Sequence, residues 1–144
     1  MLDLARTGAD LKAAVSFHGV LDRLGATPDD SSVEFSKTSS ARPRTQPMQP
    51  PLLDCNSSVN PRIVVFHGYA DPFTPPERLQ AFMSELEERE ARYEVRVSGS
   101  GVLHSFTRPE KNSAEDESMG MQYNEHVDRQ SWDSTLALLR ETLG

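Results

Sequence analysis

The feature that most constrains the fold is a strand, a helix and a second strand in close succession between residues 61 and 99. Residues 61–68 form a short apolar run that ends in histidine and glycine, which is typical of a strand buried on both faces. Residues 93–99 alternate between apolar and polar side chains, which predicts a strand near a sheet edge. Because a helix between two such strands forms a right-handed crossover, the segment predicts parallel pairing.

Three other segments complete the predicted secondary structure. Residues 12–19 repeat the form of a short apolar strand that ends in histidine and glycine. Residues 1–8 predict a short helix that ends at Gly8, and a last helix is predicted from about Val127 to Leu143. The chain is therefore predicted to be an α/β protein with about three parallel strands and flanking helices.

Two of the predicted helices carry apolar residues at helical spacing. The crossover helix opens at Pro75 and Pro76, and its glutamates are predicted to face water. Its apolar face comprises Leu79, Phe82, Met83 and Leu86, and its glutamates are Glu85, Glu87, Glu88 and Glu90. In the last helix the residues at helical spacing are Trp132, Leu136, Leu139 and Leu143.

Two polar stretches are predicted to lie outside this framework. Residues 27–60 combine serine pairs with scattered prolines, which predicts a disordered insertion within a single domain spanning 1–144. So long a connection is unusual inside a compact domain, and the strong strand signals on both sides favour an insertion. Residues 113–118, rich in serine and acidic side chains, are predicted to form a second polar loop.

Composition excludes several classes of function. A chain of 144 residues with a formal net charge of −7 is typical of one domain, and it carries no basic stripe for nucleic acid or an anionic membrane. No apolar run approaches the ~20 residues that span a bilayer. Cys55 is the only cysteine, so no disulfide can form within the chain, and the sequence predicts a cytoplasmic protein that needs no cofactor.

Two polar residues follow successive predicted strands and point to hydrolytic chemistry. Asp71 comes shortly after the strand at 61–68, and His104 follows the strand at 93–99. Side chains at the carboxyl ends of parallel strands meet at one rim of the sheet, where ligands bind. A carboxylate beside a histidine fixes the imidazole tautomer and stabilises the imidazolium that forms when the ring takes a proton from a nucleophile. We therefore predict Asp71 and His104 as catalytic residues.

Simpler interpretations compete with this one. Asp71 could cap the turn that follows it, and His104 could be an ordinary loop histidine. His18 and His67, which each end a predicted strand before glycine, could join the pair as ligands of zinc or iron. Histidines in that position are more often hydrogen-bonded core or turn residues, so no metal site is predicted. His126 is expected at the start of the last helix.

No nucleophile is evident in the chain. Neither G-x-S-x-G nor G-x-C-x-G occurs, and Ser100 follows the strand that already supplies the histidine. Cys55 is a poor substitute, because no strand precedes it, no helix follows it and the adjacent carboxylate of Asp54 disfavours the thiolate.

Four segments together resemble the carboxyl-terminal half of the dienelactone hydrolase family of α/β-hydrolases. They are residues 12–19, 61–76, 101–109 and 121–132, with the motifs His67-Gly68-x-x-Asp71-Pro72, His104-Ser105-Phe106, Tyr123-Asn124 and Ser131-Trp132. The resemblance implies a partial α/β-hydrolase fold and a hydrolase of carboxylic esters or lactones, in which Asp71 and His104 match the acid and the histidine of a triad. The family's cysteine or serine nucleophile has no counterpart, so the chain is expected to begin just after it.

That absence leaves two hypotheses open for the resembled fold, and a metal-dependent hydrolase is a third. The chain is either the carboxyl-terminal part of such a hydrolase, inactive alone, or a noncatalytic interaction module that keeps half of the fold. In both cases the first strand has a bare apolar edge, so association through that edge is expected. The expected ligand is a small-molecule ester or lactone.

Overall fold

The computed structural model describes residues 1–7, 9–22, 61–99 and 101–144. The predicted insertion, Gly8, Cys55 and Ser100 lie outside these residues. In chain order the elements are α1 (Leu2–Arg6), β1 (Ala13–Phe17), β2 (Arg62–Gly68), α2 (Pro76–Glu88), β3 (Tyr93–Ser98), α3 (Ala114–Ser118) and α4 (Glu125–Leu143).

The three strands form one parallel sheet in the order β1-β2-β3. Val15 lies beside Val64, and Val65 lies beside Val95, so β2 is paired along both of its edges. The last six residues of β2 are all buried, as its continuous apolar run predicts. The α/β class, the parallel pairing and the edge position of β3 are confirmed.

Helices cover both faces of the sheet. On one face Ile63 and Val65 of β2 pack in a core with α1, the start of the loop after β1, and the apolar side of α2. On the other face Val64 and Phe66 pack with α4 and with the segment that follows β3. Since successive strand residues point to opposite faces, one short strand contributes to both cores.

Helix α1 is held to the rest of the protein by a buried arginine. Arg6 is 3% exposed, and its guanidinium donates to both carboxylate oxygens of Glu85 on α2, at 3.1 and 3.0 Å. It also donates to the Leu21 carbonyl at 2.8 Å and to Asp3 at 3.0 Å, and it lies over the Phe82 ring. The prediction that Glu85 faces water is therefore wrong, because its side chain is only 13% exposed and its carboxylate lies between Arg6 and Arg89.

The buried side of α4 is not the side with the largest apolar residues. Its buried residues are Val127, Ser131, Thr135 and Leu138. Trp132, Leu136 and Leu143 are exposed. The hydroxyls of Ser131 and Thr135 donate to carbonyls within the helix, at 2.8 Å each, so these small polar residues can face the sheet without an unpaired donor. The apolar stripe of α4 is left at the surface.

One predicted loop is a helix. Residues Ala114–Ser118 form the single turn α3, which the prediction of a polar loop at 113–118 missed. The Ser113 hydroxyl accepts the Asp116 N–H, and the Asp116 carboxylate accepts the Ser113 N–H, which is a complete capping box. Lys111 pairs with Asp116 at 2.7 Å. These local contacts stabilise a turn with no apolar face.

Among the described residues, none of the helices has the length and apolar character needed to cross a membrane.

We expect Arg6→Ala to lower the free energy of unfolding by about 3 kcal/mol, because it breaks an ion pair whose arginine is buried and removes the donor to Leu21. Urea denaturation measures the loss. The matched control is Arg129→Ala, whose ion pair with Glu125 is exposed on both sides, and which should cost less than about 0.5 kcal/mol. Equal losses in the two variants would show that Arg6 does not anchor α1.

Candidate active site

The site lies where the carboxyl end of β2 contacts the segment that follows β3. The Ala70 N–H donates to the Val102 carbonyl at 3.1 Å, and the Asp71 N–H closes a turn onto the Gly68 carbonyl at 3.1 Å. Gly68 permits this approach, since a Cβ there would collide with the Val102 carbonyl oxygen and lie 2.9 Å from that of Leu103. The end of β2 and the residues before His104 are thus in direct backbone contact.

The Asp71 carboxylate is completely buried and uses its two oxygens differently. Oδ1 accepts the Phe73 N–H at 2.8 Å, which fixes the turn after β2. Oδ2 lies 2.8 Å from Nδ1 of His104. Asp71 therefore does both things considered from the sequence: Oδ1 caps the following turn, and Oδ2 pairs with the histidine. Helix α2 begins without a side-chain cap, so Asp71 does not cap a helix.

His104 is fixed through its backbone as well as its ring. Its N–H donates to the Gly120 carbonyl at 3.1 Å, and its own carbonyl accepts the Gln122 N–H at 2.9 Å. Gly120 has a φ of +82° and lies against Pro72, where a side chain would collide with the proline ring. The imidazole keeps 18% of its surface exposed, so its free edge is accessible from solvent.

This geometry assigns the proton on the ring. A carboxylate can only accept, so Nδ1 of His104 carries the hydrogen and donates to Asp71. In the neutral ring the free lone pair is then on Nε2, which is the arrangement of a general base that takes a proton from a nucleophile. The oxygen of Asp71 also stabilises the imidazolium once that proton has moved.

The two histidines that precede glycine lie near the pair in different surroundings. His18 is half-buried, and its Nε2 is 2.9 Å from the Thr107 hydroxyl. His67 is 3% exposed, and its Nδ1 has no hydrogen-bond partner within the described chain. Burial lowers the pKa of both imidazoles below the ordinary value, although the nearby Asp71 carboxylate opposes the shift. Burial therefore favours the neutral form of both rings.

A metal site is not formed by these residues. Across residues 1–7, 9–22, 61–99 and 101–144, the structure contains no group of three or more histidine, cysteine, aspartate or glutamate side chains arranged to hold an ion. The His18 and His104 rings meet at 4.9 Å between centroids, nearly perpendicular, as packed rings do. His126 lies in the first turn of α4, as expected, and is exposed.

Some residues around the pair were not identified from the sequence. Phe73 packs against the His104 ring at 4.8 Å and remains 40% exposed, so it forms one wall beside the imidazole. Asn124, in one of the motifs, has a structural role: its side chain caps α4 by accepting the Val127 N–H, and its N–H donates to the Phe106 carbonyl. The contact of Phe73 with His104 was not predicted, because ring contacts between residues of different elements leave no signal in sequence.

A cavity of about 440 Å³ lies elsewhere, between the end of β3 and α4. Phe66, Arg96 and Ser131 are among its lining residues, and neither Asp71 nor His104 is. The cavity is therefore separate from the paired residues.

Solved structures with similar folds are themselves hydrolase-like. A dienelactone hydrolase-like promiscuous phosphotriesterase, P91, from metagenomic libraries superposes with a TM-score of 0.66 at 26% identity, over 98% of this chain and 46% of that one. An α/β hydrolase from a deep-sea metagenome library, MGS-M1, gives a TM-score of 0.51 at 18% identity, over 96% of this chain and 49% of that one. This likeness supports the fold alone. The chain thus spans less than half the length of these structures.

Sequence comparisons agree with the structural ones. An uncharacterized protein of Caenorhabditis elegans is 32% identical over 141 residues, covering 97% of this chain and 71% of that protein. The model of the dienelactone hydrolase family matches residues 1–143. Together with the parallel sheet and its hydrolase-like structural neighbours, this match over nearly every residue places the chain in the dienelactone hydrolase family.

Proposed function

We propose that this chain supplies the acid and the histidine of a hydrolase of carboxylic esters or lactones, and that the nucleophile comes from a polypeptide segment outside residues 1–144. The observation that carries the proposal is the 2.8 Å contact between Asp71 Oδ2 and His104 Nδ1 at the carboxyl ends of parallel strands. Family membership supports the reaction class. The nucleophile would be cysteine or serine, the residues of the resembled family.

The proposed reaction proceeds through an acyl-enzyme. Nε2 of His104 takes the proton of the nucleophile as the nucleophile attacks the carbonyl carbon of the ester. The resulting imidazolium donates that proton to the departing alkoxide, which leaves as an alcohol. Water then attacks the acyl-enzyme, His104 accepts a proton from it, and the acid is released as the nucleophile is regenerated. Asp71 stabilises the imidazolium in both halves of the cycle.

We propose that the segment that carries the nucleophile pairs with the free edge of β1. The His18 N–H donates to Phe66, and the Lys12 carbonyl accepts from Arg62, so even-numbered residues of β1 face β2. The N–H and C=O groups of residues 13, 15 and 17 therefore point away from the sheet. Within the described residues no strand pairs with this edge. A strand that paired there would bring its own carboxyl end to the rim that holds His104.

The two edges of the sheet differ in a way that supports this docking position. At the outer edge formed by β3, Glu94 and Arg96 pair with each other, and such charges block further pairing. Strand β1 has the sequence Ala-Ala-Val-Ser-Phe and carries no charge. The uncharged edge is typical of a strand inside a larger sheet.

Exposed apolar side chains lie on the two helices that pack against the uncharged strand β1. The Trp132 ring of α4 packs against Phe17 of β1 at 5.2 Å and is 49% exposed, and Leu136 lies exposed one turn further along. Leu4 is exposed on α1, which packs against β1. We call the free edge of Ala13–Phe17, with Trp132, Leu136 and Leu4, the open-edge surface. A strand with flanking helices, as in a hydrolase half, would bury all of it.

We expect ester hydrolysis when the chain is completed by the amino-terminal half of a dienelactone hydrolase that carries G-x-C-x-G. The half can be fused to Met1 or added as a separate polypeptide. The rate on an activated ester such as p-nitrophenyl acetate measures the hydrolysis. His104→Ala or Asp71→Asn should reduce kcat/KM by about 10⁴-fold, since the base or its orienting acid is lost. His126→Ala, in the exposed first turn of α4, is the control and should leave the rate unchanged.

Hydrolysis that survives His104→Ala would reject the assignment. Halves that associate and fold but hydrolyse nothing would favour the noncatalytic interaction module.

Val15→Pro should weaken association with the amino-terminal half by about tenfold, because proline removes an outward N–H and its ring obstructs the approaching strand. Titration calorimetry measures the affinity. Val97→Pro is the matched control, because the N–H of Val97 also points outward, but from the opposite edge of the sheet. The Val97→Pro variant should bind normally. Equal weakening by both variants, or a dimer of this chain that Val15→Pro dissociates, would contradict the proposed docking partner.

A further inference from the structure

His18 occupies a position that the proposed reaction does not yet explain. It is the first residue after β1, at the same rim as Asp71 and His104, and its N–H donates to the Phe66 carbonyl at 2.9 Å. Its φ of +38° is in the left-handed region, which residues other than glycine seldom adopt. The strand bond on one side and the turn on the other therefore direct this imidazole toward the segment that contains His104.

The His18 ring contacts three residues of that segment. Its Nε2 lies 2.9 Å from the Thr107 hydroxyl, so the ring is anchored at its far end. Its centroid is 4.9 Å from that of His104 at an interplanar angle of 69°, and 5.2 Å from that of Phe106 at 87°. Phe106 is completely buried, so the ring packs on a part of the core that cannot easily move.

His104 needs a constraint that Asp71 does not provide. A single hydrogen bond fixes the distance from Nδ1 to the carboxylate, but the ring can still turn about the line that joins the two atoms. Asp71 fixes the hydrogen on Nδ1 only while the ring keeps this hydrogen bond, because an imidazole that turns away from the carboxylate can instead carry the hydrogen on Nε2, where it could not act as base. Only two aromatic contacts involving His104 are found within the described chain, with Phe73 at 4.8 Å and with His18. Phe73 is partly exposed, whereas His18 is anchored.

The charge state of His18 suits such a role. Burial lowers the pKa of His18, and the neighbouring His104 and Arg108 lower it further, whereas the Asp71 carboxylate opposes them. A neutral ring beside His104 does not repel the proton that His104 takes up during the reaction, whereas a second imidazolium would.

We propose that His18 is a positioning residue, which keeps the His104 imidazole in the orientation and tautomer of a base through their ring contact and through its own anchor on Thr107. Its catalytic consequence rests on the proposed function. Its effect on the His104 ring is independent of that function, and can be measured without a nucleophile or an ester.

The experiment compares nitrogen-15 spectra of the histidine rings in the full chain and in His18→Asn. Asparagine adopts left-handed φ more readily than most residues, so this variant removes the ring with little backbone strain. We expect the two ring nitrogens of His104 to have well-separated shifts in the wild type, with the hydrogen on Nδ1. In the variant their shifts should move toward each other, because exchange between tautomers averages them.

Thr107→Val gives a second measurement in which the His18 ring is kept and only its anchor is lost. It should move the His104 shifts in the same direction by a smaller amount. The controls are His126→Asn, an exposed histidine, and Thr142→Val, whose hydroxyl donates to carbonyls within α4. Neither control should alter the His104 signals. In the enzyme completed with an amino-terminal half, His18→Asn should lower kcat by about 100-fold with little change in KM.

Unchanged His104 shifts in the folded variants would overturn the inference, since a purely structural His18 would affect only stability. If His18→Asn does not fold, unchanged shifts in Thr107→Val have the same meaning. Shifts that move as expected in a chain whose completed form hydrolyses no ester would support the positioning role and reject the proposed function, so the two failures are distinguishable.

Discussion

The structure depends on the pairing of β2 along both of its edges. Because its backbone groups are bonded to β1 on one side and β3 on the other, and its side chains contribute to a core on each face, β2 can lie only in the middle of a parallel sheet. Parallel pairing then brings the carboxyl ends of all three strands to one rim. Asp71, His18 and the loop that carries His104 are neighbours for that reason.

The paired carboxylate and histidine depend in turn on how closely two backbone segments approach. Gly68 lets the residues before His104 cross the end of β2 in direct contact. The Phe73 N–H occupies one oxygen of Asp71, so the other is directed at the imidazole. A buried carboxylate with both oxygens occupied is rigid, and rigidity is what an orienting acid needs. The aromatic rings of Phe73 and His18 extend the same constraint to the His104 ring.

The asymmetry of the two sheet edges connects the fold to its proposed partner. Charges at β3 make that edge a natural end of the sheet, whereas β1 has an uncharged edge beside the exposed Trp132 and Leu136. The chain spans less than half the length of the solved structures it resembles. A half-fold of this kind can keep two cores, because α1 is held by Arg6 on one face and α4 packs on the other.

Patterns local to the chain determined the three strands, their parallel pairing, the buried side of α2 and the order of Asp71 and His104, because each depends on periodicity or on residues at strand ends. Helix α3 was missed because a capping box, not an apolar face, stabilises it. The buried side of α4 and the partial burial of Glu85 were decided by tertiary structure. Ser131 and Thr135 satisfy their hydroxyls within the helix, and Arg6 pairs with Glu85 from a helix far away in sequence. The contact of His18 with His104 was decided in the same way. Such contacts join residues far apart in sequence, and their energies depend on distances and burial that only the folded chain establishes.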